Sequence, residues 1–168
     1  MTDVIASAAA LASGASYYGV LFPDGVDHLP STQVDPVHSP RLTAFLDHVE
    51  VVVTIHGFGR QGLFTSLLLG GGNRPLAHHV GDHLRRRLPA YRVLTDLEAI
   101  PTELRGQHPR NPVNRPPQQG VQIELPPRVR GSSPLWWDWE GPGPTPHTQA
   151  LIDGLADAAR SWDHIVTG

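Results

Sequence analysis

The 168-residue chain contains no cysteine, and its basic residues are all arginine. The missing cysteine excludes disulfides, thiolate nucleophiles and Cys-ligated zinc, and leaves histidine and carboxylates as the metal-binding side chains. Thirteen basic residues stand against 16 acidic ones, for a formal net charge of -3. Apart from Arg85, Arg86 and Arg87 the arginines are scattered, so no broad basic face is offered to a nucleic acid. No apolar run approaches the ~20 residues a membrane helix needs, so a soluble, cytoplasmic protein with neither nucleic-acid nor membrane partners is expected. The small apolar residues at 4–15 follow Asp3, where a secretory leader would carry positive charge. They read instead as an amphipathic helix, with Thr2 as cap, Asp3 in the first turn and Gly14 as stop.

A chain of this length can bury one substantial core, and one compact domain is the default. Residues 16–38 mix aromatic residues with Pro23, Gly25 and Pro30 and read as loop with at most one short strand. Ser39 followed by Pro40 is a cap and first-turn pair that opens a short helix to about His48. Val51, Val52, Val53, Thr54 and Ile55 then form a β-branched run of the kind found in a strand buried on both faces, emptying into His56 and Gly57. The run 63–69 reads as a second strand closed by Gly70, Gly71 and Gly72. Residues 75–88 show helical spacing, and 91–94 a short strand. Residues 101–119 form a long loop rich in Pro, Arg and Asn, a kind that in a compact domain is usually functional.

Val121, Ile123 and Leu125 alternate with Gln122 and Glu124, so this strand turns one face to the core and presents an amide and a carboxylate on the other. The tail beyond Gly131 holds Trp136, Trp137 and Trp139, then Gly and Pro, then a last helix near 148–160. The order of elements predicts an α/β fold: a mixed sheet flanked by helices, with sites outside the carboxyl ends of strands.

Several residues carry chemistry. His56 at a strand's carboxyl end is held rigidly and suits a metal ligand, an acid–base group or an oxyanion-loop residue; the alternative is a half-buried histidine bonded at a loop start. Glu124 on an apolar strand needs a cation, a metal or a hydrogen-bond donor to compensate its burial, unless it is solvated at a sheet edge beside Arg115 or Arg128. Asn111, Asn114 and Arg115 place an arginine fork beside amides, as a site that grips a carboxylate requires, and Arg74 offers a second fork. An ordinary turn with surface arginines fits the same residues. His79 and His83 have the spacing of a two-His zinc pair, but the intervening Val80, Gly81 and Asp82 offer no base of the metalloprotease-helix kind, and the arginines beyond favour a solvated helix face.

His56-Gly57-Phe58-Gly59 after a valine-rich strand is similar to the oxyanion strand of α/β-hydrolases. A serine esterase would need a G-x-S-x-G elbow, which the sequence lacks, and Ser66 lies inside an apolar run. A second resemblance spans residues 2–131. Thr2-Asp3, His28 to Pro40, Thr54-Ile55-His56-Gly57, Gly71-Gly72-Asn73, Gly106 to Arg115 and Gly120 to Leu125 follow in the order of the poly-γ-glutamate hydrolase family. The pairing of Asn111-Pro112-Val113-Asn114-Arg115 with Gly120-Val121-Gln122-Ile123-Glu124-Leu125 is its most specific part.

That resemblance implies a three-layer, mostly parallel, zinc-carboxypeptidase-like sheet with helices on both faces over residues 1–131, with 132–168 packed on the same domain. It implies zinc, with His56 as a ligand, Glu124 as the base, and Arg115, Asn114, Asn111, Arg74 and His28 on the carboxylates of an acidic polymer or peptide. In the family, the other ligands come from a His-Gly-Gly…Glu stretch ending a first strand that precedes the position of Thr2. The expectation is therefore a chain short at its amino end, lacking that strand and inactive by itself, or else a non-catalytic, phage-related binding module. In either case His56 and Glu124 should face one crevice.

Overall fold

The computed structural model describes residues 1–21, 25 and 29–162. Helix α1, Thr2–Ser13, ends as the sequence predicts, on Gly14 in the left-handed conformation (φ 75°). Its cap differs, because Met1 takes the N-cap position without a side-chain bond and Thr2 lies inside the helix. Residues 31–38 add two short 3-10 turns, Ser31–Gln33 and Pro36–His38, where a strand was left open. Ser39 then caps α2, Pro40–His48, its side chain accepting from the Leu42 amide with Pro40 in the first turn, the arrangement its sequence foretells.

Strand β1, Val52–Gly57, is followed by β2, Ser66–Leu69, then α3, Arg74–Arg87, and β3, Arg92–Leu94. The second strand is shorter than expected, because residues 63–65 form the turn that delivers Ser66 to the sheet. Between β3 and strand β4, Gly120–Leu125, the long loop is not structureless. It is folded into 3-10 turns at Leu97–Ala99, Thr102–Leu104 and Pro112–Asn114, two of them capped by the side chains of Asp96 and Asn111. Helix α4, Pro146–Ser161, is capped by Thr145 and follows the Trp- and Pro-rich segment.

The four strands lie in the order β1-β4-β2-β3. β1 pairs parallel with β4, β2 parallel with β3, and β4 antiparallel with β2, so the sheet is mixed and mostly parallel. Side chains alternate across it. Val121, Ile123 and Leu125 of β4, with Leu67 and Leu69 of β2, enter one core with α1, α3 and α4. On the other face lie Gln122 and Glu124, under the turn Pro112–Asn114 that packs against β4 and β1. β4 is therefore central and buried at every residue, whereas β1 at the sheet's edge leaves Val53 39% exposed.

The glycine run after β2 has a steric reason. Gly71 has φ 86°, and a Cβ there would come within 2.3 Å of the Gly120 carbonyl oxygen. Only glycine lets the chain leave β2 so close to the start of β4.

Helix α4 belongs to the same core, packing on α1 and α3. His79 and His83 are not on a solvated face, contrary to the expectation from their sequence. Both rings are half-buried and approach Ser161 Oγ of α4, at 3.3 and 3.1 Å. Trp136 packs edge-on against His147, but Trp137 remains 79% exposed. No helix among the described residues is long and apolar enough to cross a membrane.

Candidate functional site

The parallel register sets His56 directly beside Glu124, one at the carboxyl end of β1 and the other at that of β4. Paired residues on neighbouring strands emerge from the same face, with Cα atoms about 5 Å apart. The two side chains thus share one side of the sheet, at the strand ends where α/β sheets open a crevice.

Glu124 is 5% exposed. Its flanks are apolar on one side, where Leu68 of β2 is its antiparallel partner, and polar on the other. Gln122 Nε2 donates to Glu124 Oε1 at 2.9 Å, and Asn111 Nδ2 donates to Gln122 Oε1 at 2.7 Å. This buried ladder orients the carboxyl from the loop that the sequence marked as functional. Burial pushes the Glu124 pKa up to about 7, while the Gln122 hydrogen bond and the positive charge of Arg130 pull it down less strongly. A carboxyl in that range exchanges its proton near neutrality.

Arg130 is the part of the site that sequence reading missed. It follows β4 by a turn, donates from Nε to the Leu125 carbonyl at 3.1 Å and from Nη2 to the Phe58 carbonyl at 3.4 Å, and so bridges the ends of β4 and β1. Gly57 gives it room, since a Cβ there would lie 3.0 Å from the guanidinium carbon. Nothing in the spacing of residues 126–131 announces that return.

The other sequence candidates lie elsewhere or are engaged structurally. Arg74 donates to the carbonyls of Gly71, Leu69 and Thr95. Leu69 is level with Ile123, and Gly71 lies against Gly120 and Val121 at the start of β4. Asn114 accepts from the Gly72 amide through Oδ1 and donates from Nδ2 to the Gly106 and His108 carbonyls, so its amide tethers the loop. Asn111 reaches the site through Gln122. Arg115 is exposed, 4.0 Å from Asp35. His28 lies outside the described residues. Ser66, the esterase alternative's serine, is buried at the start of β2.

A groove of about 1040 Å³ joins these parts. It runs along β1, is walled by α1 and α2, and takes in Gln122, Glu124 and Arg130. Zinc in a hydrolytic site takes three protein ligands and leaves a position for water. Among the described residues no group of three or more His, Asp or Glu side chains converges on a point that could hold a metal ion. His56 and Glu124 make two, and Glu124 already accepts from Gln122, so the described residues by themselves do not fit a catalytic zinc.

Comparison with known proteins agrees with this architecture. No curated protein sequence matches the chain. A solved structure described as bacteriophage poly-gamma-glutamate hydrolase superimposes with a TM-score of 0.69 at 19% identity, covering 92% of this chain and 74% of that one. A zinc-free apo form of YNDL superimposes with a TM-score of 0.59 at 18% identity, covering 80% of this chain and 63% of the other, so the match spans less than two thirds of that protein. Identities this low speak to the fold. The sequence model of the poly-gamma-glutamate hydrolase family matches residues 1–133, most of the chain, and the protein belongs to that family.

Proposed function

We propose that the chain carries the acid–base part of a hydrolase that cleaves γ-glutamyl amide bonds in poly-γ-glutamate or a similar acidic polymer. One observation carries the reading: a buried carboxyl with a pKa of about 7, Glu124, stands beside His56 on one face of the sheet and opens on the groove. In its ionised form Glu124 takes a proton from a water whose oxygen attacks the γ-carbonyl carbon. The same carboxyl returns the proton to the amide nitrogen as the carbon–nitrogen bond breaks. The Asn111–Gln122 ladder fixes the carboxyl's direction, so the water need only be held at one place.

Zinc is the cofactor this reading calls for, with His56 as one ligand. The described residues fall short of a ligand set, so this reading needs ligands from outside them. The open edge of β1 supports this. Its neighbour on one side is β4, and its other side borders the groove, whose lining also takes in residues of α1 and α2. A strand preceding α1 in a longer protein, laid on β1, would end beside His56.

The shortage of ligands also favours a second reading, in which the chain binds the polymer without cutting it. One experiment separates the two. The protein is expressed from an in-frame start upstream, loaded with zinc, and incubated with poly-γ-glutamate while new amino ends are counted. The hydrolase reading expects cleavage that falls at least about 100-fold in Glu124→Gln. Polymer binding without new ends transfers the case to the binding module, and absence of both binding and cleavage sinks both readings.

A further inference from the structure

We propose that Arg130 is the specificity residue of this site, binding the free α-carboxylate next to the scissile γ-amide. The proposal rests on the hydrolase reading and names what that reading leaves unassigned, the group that recognises a γ-linked chain.

The geometry points to Arg130 rather than to the arginines the sequence singled out. Arg74 is spent on three backbone carbonyls, and Arg115 is exposed beside Asp35. Neither lines the groove, whereas Arg130 does, together with Glu124. Arg130 is half-buried and, among the described residues, forms no ion pair. Its bonds to the Leu125 and Phe58 carbonyls use Nε and one hydrogen of Nη2. Nη1 has no hydrogen-bond partner among the described residues, so the outer edge of the guanidinium, Nη1 with the second hydrogen of Nη2, keeps donors unused by those residues. A half-buried cation held by neutral carbonyls is incompletely compensated, and an arriving carboxylate completes it.

The substrate's covalent structure fits this placement. In γ-linked polyglutamate the nitrogen of the scissile bond is attached to a carbon that itself bears a free carboxylate. An anion therefore lies two bonds from the atom that receives the proton. In an ordinary α-linked glutamate chain the side-chain carboxylate is farther from that nitrogen, on a flexible stem. A cation fixed between the ends of β1 and β4, near enough to Glu124 for its charge to act on that carboxyl, recognises the first arrangement and not the second.

Calorimetric titration of the chain with a γ-linked tetraglutamate tests this, alongside the same tetramer with its α-carboxylates converted to primary amides. Arg130→Ala is expected to weaken carboxylate-tetramer binding by about 10- to 100-fold, the worth of a charge-assisted hydrogen-bond pair, and to leave the amide tetramer unchanged. Arg92→Ala on β3, exposed and outside the groove, should change neither. Arg130→Lys keeps the charge without the fork and should fall between, which preserves the test if the alanine variant unfolds. Unaltered carboxylate binding in Arg130→Ala overturns the assignment while the hydrolase reading stands. An equal loss for both tetramers also overturns it, since that is what a purely structural arginine would give. Wild-type protein that binds neither tetramer overturns this assignment, while the hydrolase reading stands or falls on the cleavage assay.

Discussion

β1 and β4 run side by side in perfect register, yet they meet opposite surroundings. Each of the six residues of β4 is buried, between the helices on one face and the Pro112–Asn114 turn on the other. β1 has β4 on one side and the groove on the other, and most of its residues are partly or fully exposed. The proposed site sits where the two environments meet. Burial on the β4 side raises the Glu124 pKa, and the β1 side opens on the groove that the proposed function assigns to substrate. A carboxylate on β1 would be solvated and ordinary, and one at the centre of β4 would be inaccessible.

The contrast can be broken by mutation, most severely on the β4 side. Ile123→Ala removes a fully buried side chain from the core and is expected to cost about 2–5 kcal/mol in urea unfolding. A loss below about 1 kcal/mol would show that β4 is not the packed centre.

Glu124→Gln comes next, and its effect depends on pH. With a folded pKa of about 7 against 4.5 in the unfolded chain, the native state holds the extra proton between those values. Wild-type stability should therefore fall as pH rises from about 4.5 to about 7 and then level off. The total is up to about 3 kcal/mol, and less where water reaches the carboxyl. The Gln variant should lack this slope and be the more stable protein at pH 8. Parallel pH–stability curves for the two would overturn the raised pKa.

Asn111→Ala leaves the buried Gln122 oxygen without its donor, and about 1–3 kcal/mol of stability should be lost. An unchanged unfolding midpoint would mean the ladder does not hold Glu124. On the β1 side, Val53→Thr at a 39% exposed position should stay within about 0.5 kcal/mol of wild type. A large loss there would show that the β1 edge is already covered.

Much of the fold was legible because local rules governed it. The β-branched run of β1, the Ser39–Pro40 cap of α2 and the Gly14 stop of α1 are decided by residues within one turn of each other. The position of Glu124 on an alternating strand was legible too, but its compensating partners were not. Asn111 comes to Gln122, its neighbour on the strand, from a loop folded into 3-10 turns, and Arg130 from a turn after the strand. Asn114 and Arg74, which read as substrate groups because of their chemistry, carry backbone tethers instead. A sequence states that an arginine can fork but not which carbonyls will meet it.

The sequence by itself determined the family, the α/β class, and the strands that carry His56 and Glu124, because periodicity, capping and motif order are properties of neighbouring residues. Tertiary structure alone decided that β4 lies between β1 and β2 and that Arg130 turns back over Gly57, and it alone left the edge of β1 open along a groove. Strand order and desolvation depend on segments far apart in the chain, and the shifted pKa of Glu124 is the result of that distant packing.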